Sequence, residues 1–121
     1  MNDTKLKAKI SVFVTFLVVL DQLSKYVANA CLKGKNDFII IKDVLHLHYL
    51  DGGNKGAAWG MLSGKIILFI IFTLIASFFI CLFIRNSISL YNHSHNKSIK
   101  ILCVFLSVLL SGAIGNLIDR V

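Results

Sequence analysis

Residues 66–84 read IILFIIFTLIASFFICLFI, nineteen positions without a charge. At about 1.5 Å of rise per residue, a helix of this run nearly crosses a hydrocarbon layer of roughly 30 Å. No other feature narrows the possible folds as much. A second uncharged run covers 101–118. A third span, 10–32, begins ISVFVTFLVVL and then admits Asp21, Gln22 and Lys25. Lys5, Lys7 and Lys9 ahead of it resemble the basic start of a signal peptide. No small-residue cleavage site follows, and apolar character resumes after Lys25, so a retained spanning helix is expected. The reading is an all-α polytopic membrane protein, a single domain over residues 1–121. Composition agrees: 56% hydrophobic against 16% charged, with no proline, leaves too little polar surface for a soluble domain.

The net charge is +7, yet the thirteen Lys and Arg are scattered between apolar runs. Nucleic-acid binding calls for a clustered basic face, so this class is excluded. Cys31, Cys81 and Cys103 lie in or beside apolar runs without CxxC spacing. They read as small buried hydrophobes, not as a disulfide framework or a zinc site.

Three spans place the N-terminus and the connector 85–100 on one side, and the loop 33–65 on the other. The connector carries Arg85, Lys97 and Lys100 and no acid, while the loop has five lysines together with Asp37, Asp43 and Asp51. The basic N-terminus and connector favour the cytoplasm. Asp119 and Arg120 then stand at the outer face. Within the outer loop, DFIIIKDVLHLHYLDGG alternates and is rich in β-branched residues, the pattern of short strands or a hairpin on the membrane surface. GGNKGAAWGM follows, with turn-forming glycines and Trp59 at interface depth.

Asp21, Lys25 and Asn29 are spaced i, i+4, i+8 and share a helix face, so Asp21 can pair with Lys25. Counted from Ile10, Asp21 stands roughly 16 Å along the span. An ionisable residue at such depth is costly and marks either a functional site or a structural ion pair. On the third span, Ser107, Ser111, Gly115 and Asp119 recur every four residues, and Gly112, Asn116 and Asp119 follow i, i+4, i+7. Small residues let another helix approach closely, and Asn116 can hydrogen-bond across. Helix packing accounts for Ser107 to Gly115; it leaves Asn116, Asp119 and Arg120 unexplained. His46 and His48 fall on the opposite side of the membrane from His93 and His95, so the two pairs cannot form one metal site, and loop histidines are expected.

Three stretches, DQLSKY (21–26), NKGAAWG (54–60) and GAIGNLIDR (112–120), occur in this order relative to the spans. Together they resemble the lipoprotein signal peptidases, the signal peptidase II family, over essentially the whole chain. The resemblance implies a four-helix aspartic protease of the bacterial cytoplasmic (inner) membrane, with a small extracytoplasmic β-structured region between the first two helices. It implies cleavage of prolipoproteins just before a diacylglyceryl-modified cysteine, with no cofactor. Diacylglyceryl-modified prolipoproteins and membrane lipids would be its partners, and a monomer is expected. Carried over by motif, Asp21 and Lys25 brace the first helix. Asn54, Gly56 and Ala57 border the substrate groove. Asn116 and Arg120 organise the polar site, with Asp119 as their neighbour.

In that family the catalytic aspartates come from a Val-Asp-Phe stretch after the Asp-Arg and from an Asn-x-Ala-Asp motif on a fourth helix. Residues 1–121 contain neither, so the resemblance puts the dyad beyond Val121. An aspartic dyad needs two carboxyls sharing one proton. The six acids here are Asp3, Asp21, Asp37, Asp43, Asp51 and Asp119, with no Glu. Only Asp21 and Asp119 fall in the motifs, and Asp119 is the one catalytic candidate. The expectation is a C-terminally truncated, catalytically incomplete peptidase. The alternatives are a lipopeptide-binding remnant that does not cleave, or a small transporter subunit using Asp21 and Lys25 as a relay. A relay needs a continuous polar path, which the apolar second span does not offer.

Overall fold

The computed structural model describes residues 3–35, 37–49 and 65–120. Its elements, in chain order, are α1 (Asp3–Leu32), β1 (Phe38–Ile41), β2 (Leu45–Leu47), α2 (Ile66–Ser94) and α3 (Lys97–Ile118). All three helices are long and apolar enough to span a membrane.

Each helix begins or ends beyond its apolar run. α1 starts at Asp3, not near residue 10, and α2 continues to Ser94, so most of the expected connector 85–100 is helical. No proline or glycine interrupts 85–100, and a helix that has left the apolar layer keeps its backbone bonds while polar side chains meet water. Apolarity therefore marks the crossing, not the end of the helix. The reversal takes only residues 95 and 96. His95 adopts a left-handed conformation (φ 50°) with its N–H bonded to Tyr91 O at 2.8 Å. Asn96 caps α3 by accepting the N–H of Ser98 at 2.9 Å. So short a connection lays α3 directly beside α2.

At the other end, Gly34 takes φ +70°, a conformation costly for residues with a Cβ, and closes α1. Strands β1 and β2 then form the expected hairpin, antiparallel, pairing Phe38 with Leu47, Ile39 with His46 and Ile41 with Leu45. The register shifts between Ile39 and Ile41, a bulge. A lone two-stranded hairpin is marginal in water. Here His48 Nδ1 meets Asp37 Oδ1 at 2.5 Å across its open end, and Tyr49 donates its hydroxyl to Asn29 Oδ1 of α1 at 2.9 Å.

α3 packs on both other helices, while α1 and α2 touch each other only weakly. The buried cluster is Leu6, Ile84, Ile88, Cys103 and Leu110. Ser107 and Ser111 are buried too, their hydroxyls bonded to Cys103 O (2.7 Å) and Val108 O (2.8 Å) of their own helix. With polar groups satisfied locally, the Ser107–Ser111–Gly115 stripe becomes a close-packing seam. Large apolar side chains cover the outside, Phe72, Phe79 and Phe105 among them. Such a surface suits lipid and would aggregate in water. Of the three cysteines, Cys103 is buried as expected, whereas Cys31 and Cys81 are exposed on the apolar exterior. An apolar run fixes that a residue avoids water, and lipid serves that end as well as the protein interior does.

Candidate functional site

One turn of α1 carries three polar side chains, and all three turn toward the end of α3. Lys25 Nζ lies 2.5 Å from Asp21 Oδ2 and 2.5 Å from Asp119 Oδ2. The pairing Asp21–Lys25 is the i,i+4 contact that the spacing implies. The second bridge crosses between helices and is not visible in local spacing. Gln22 completes the cluster: its Nε2 is within hydrogen-bonding reach of Asp21 Oδ2 (3.2 Å), Gly115 O (3.3 Å) and Asp119 Oδ1 (3.1 Å). Two carboxylates thus converge on one ammonium and one amide.

Asp119 is the C-cap of α3, its N–H bonded to Gly115 O at 3.2 Å. Burial pushes the Asp119 carboxyl up. The hydrogen bonds from Lys25 and Gln22, with the charges of Lys25 and Arg120, outweigh that and hold it below the usual carboxylate range. It is therefore ionised at neutral pH and accepts hydrogen bonds only. Arg120 turns back, Nη1 donating to Asn116 O at 2.6 Å, and its guanidinium lies 5.5 Å from the Phe69 ring centroid on α2. The C-terminal end of α3 is thereby tied to α1 through Asp119 and to α2 through Arg120.

Gly115 has a specific reason to lack a side chain. A Cβ there would come within 2.9 Å of Asp21 Cγ, and closer still to Oδ2. The Asp21 carboxylate occupies the space a side chain would fill. Gly112, one turn earlier, has nothing within 4 Å of such a Cβ among the described residues. Gly115→Ala is expected to destabilise by about 1–2 kcal/mol despite alanine's better helix propensity, because it pushes Asp21 off Lys25. Gly112→Ala should be neutral or stabilising by up to about 1 kcal/mol. Thermal unfolding in detergent decides; equal responses at the two sites would mean that Asp21 is not seated on Gly115.

Of the residues expected at the site, Asp21, Lys25, Asp119 and Arg120 are brought to one end of the bundle, and Asn116 joins through its carbonyl. Asn29, on the same face of α1, serves the hairpin instead. Asn54, Gly56, Ala57 and Trp59 lie outside the described residues. So does Val121, the position beyond which the resemblance puts the catalytic dyad. Gln22 had no assigned role in the sequence; its position three residues before Lys25, beside Asp21, is the signal that could have found it.

Residues 13–121 match the family model of signal peptidase (SPase) II. Among curated proteins, the chain is 39% identical to a lipoprotein signal peptidase of Caldanaerobacter subterraneus, covering 91% of this chain and 68% of that protein. It is 37% identical to that of Staphylococcus aureus (88% of this chain, 59% of the relative) and 38% identical to that of Clostridium acetobutylicum (86% and 61%). The chain thus spans about 59 to 68% of the length of these relatives. No solved structure matches it. Three apolar helices, a hairpin between α1 and α2, the cluster joining α1 to α3 and the match over residues 13–121 agree: this chain belongs to the signal peptidase II family.

Proposed function

We propose that residues 1–121 form the helical frame and outer region of an aspartic-type membrane endopeptidase, which removes signal peptides from prolipoproteins before a diacylglyceryl-modified cysteine. The observation that supports the assignment of roles is the sharing of Lys25 between Asp21 and Asp119. A catalytic dyad requires two carboxyls that share a proton. Here a lysine stands between the two carboxylates where that proton would be, an arrangement that suits a brace. Asp21 and Lys25 hold α1 to α3. Asp119, Asn116 and Arg120 set the geometry of the outer end, and Asn54, Gly56 and Ala57 border the groove. The proton-sharing pair comes from the family's later stretches, past the position of Val121, so this segment supplies the frame without the chemistry. The test is cleavage of a diacylglyceryl-modified prolipoprotein in detergent by this sequence, with and without those stretches.

A second reading draws on the groove of ≈ 590 Å³ between the hairpin and α1, lined by Leu20, Leu23, Val27, Leu32, Phe38 and Leu47 among others. An apolar trough of this kind can hold a lipidated peptide without cutting it.

The same reading puts the protein in the cytoplasmic membrane as a monomer, with Met1 and the α2–α3 reversal in the cytoplasm and the hairpin outside. The basic N-terminus and reversal support this. In a variant lacking the native cysteines, an impermeant thiol reagent applied to intact cells is expected to label Lys35→Cys and to spare Asn92→Cys. The opposite pattern would invert the topology.

A further inference from the structure

Gln22 is half-buried on α1, with its Nε2 turned to α3. Three oxygens lie within reach of that nitrogen: Asp119 Oδ1 (3.1 Å), Asp21 Oδ2 (3.2 Å) and Gly115 O (3.3 Å). The amide has two hydrogens for them. Lys25 Nζ already holds Asp21 Oδ2 and Asp119 Oδ2, each at 2.5 Å. The acceptors that the ammonium does not serve are Asp119 Oδ1 and Gly115 O, and the two amide hydrogens match these two. Both acceptors belong to the C-terminal end of α3. The last carbonyls of a helix lack partners within it. Here Gln22 reaches Gly115 O from α1, and Arg120 turns back to Asn116 O at 2.6 Å. Asp119 adds a negative charge at a helix C-terminus, the unfavourable end of the helix dipole, so donors must hold it there. Lys25 supplies the charge, but an ammonium on a flexible stem fixes direction poorly. The planar amide supplies direction: with one N–H on a backbone carbonyl of α3 and the other on Asp119, it ties the carboxylate to the helix that carries it.

We propose that Gln22 is a positioning residue of the peptidase, whose amide fixes the Asp119 carboxylate and the end of α3 against α1 and so sets the course of the chain that leaves α3. This rests on the peptidase reading, in which the catalytic aspartates come from stretches that follow the Asp119–Arg120 pair. An error of about an ångström carried from this exit into the dyad would cost about a hundredfold in rate.

The experiment compares Gln22→Met and Gln22→Glu in the sequence extended with those stretches, reading cleavage of a diacylglyceryl-modified prolipoprotein in detergent. Methionine keeps the length of glutamine and donates nothing, and Gln22→Met is expected to lower kcat about tenfold or more with KM unchanged. Gln22→Glu is nearly isosteric and sets a third carboxylate among acceptors, so it should lower kcat at least as far at neutral pH. Its rate relative to the unaltered enzyme should recover as pH falls, because the introduced carboxyl then takes up a proton that it can donate to Asp119. Gln22→Met should show no such recovery. In the 121-residue chain, NMR titration of the Asp119 carboxyl should move to higher pH in Gln22→Met, since the ionised form loses a donor. Unchanged kcat in both variants, or equal losses at every pH, would overturn the role, and the second result would make Gln22 a packing residue. An unmoved Asp119 titration would overturn it as well. Failure of the unaltered extended sequence to cut is a different result: it overturns the peptidase reading, while the titration still decides whether Gln22 holds Asp119.

Discussion

The purified 121-residue chain is expected to leave a diacylglyceryl-modified prolipoprotein uncut. The same sequence extended past Val121 with the family's Val-Asp-Phe stretch and a fourth helix carrying Asn-x-Ala-Asp is expected to cut it. Peptide hydrolysis needs a base for the attacking water and an acid for the leaving amine. Asp119 is the one motif carboxylate with a case for catalysis. Despite its burial, the hydrogen bonds from Lys25 and Gln22 hold it below the usual carboxylate range, so it has no proton to donate. Asp21 shares the same lysine. Losing part of a catalytic unit that acts together removes most of its effect, a rate loss of about 10⁴-fold or more. A gel-shift assay in detergent reads the result. Robust cleavage by the short chain, abolished by Asp119→Asn, would make Asp119 catalytic and the brace assignment wrong.

Lys25→Ala should be the most damaging single change in the cluster for stability. It removes the ammonium that two carboxylates share, leaving like charges converging on a glutamine amide. Breaking a fully buried pair costs about 3–5 kcal/mol; with roughly a third of each side chain exposed here, about 2–3 kcal/mol is expected. Asp21→Ala should cost less, about 1 kcal/mol, because Lys25 keeps Asp119. If Lys25 paired with Asp21 alone, Asp21→Ala would strand an ammonium and do more harm than the double change Asp21→Ala/Lys25→Ala. With three members, the double change instead leaves Asp119 without its lysine and should be the worse of the two. Thermal unfolding of the three variants in detergent distinguishes these orders. Asp21→Ala as harmful as Lys25→Ala would show that the bridge to Asp119 contributes nothing.

Local chemistry made much of this protein legible. The charge-free run 66–84 implies a helix because a lipid-exposed backbone must satisfy its own hydrogen bonds. The i,i+4 spacing of Asp21 and Lys25 implies their contact, since helix geometry alone puts them on one face. Alternation over residues 37–49 implies the hairpin, because pleated strands repeat every two residues. Helix ends were less legible: Asp3 and Ser94 lie well outside the apolar runs, as polar residues extend a helix without altering hydropathy in its favour.

Tertiary packing decided the rest. That α3 lies between α1 and α2, that Lys25 reaches Asp119 ninety-four residues away, and that Arg120 turns to Phe69 depend on which helix faces which. Gly115 shows why the sequence by itself could not settle this. Its place in a four-residue stripe of small residues marks a close-packing face, but the stripe does not say what approaches it. Only the packing of α1 against α3 puts the Asp21 carboxylate in the space a Cβ would need. Helical periodicity is a property of one segment, whereas the partner of a face is set by how several segments fill space together.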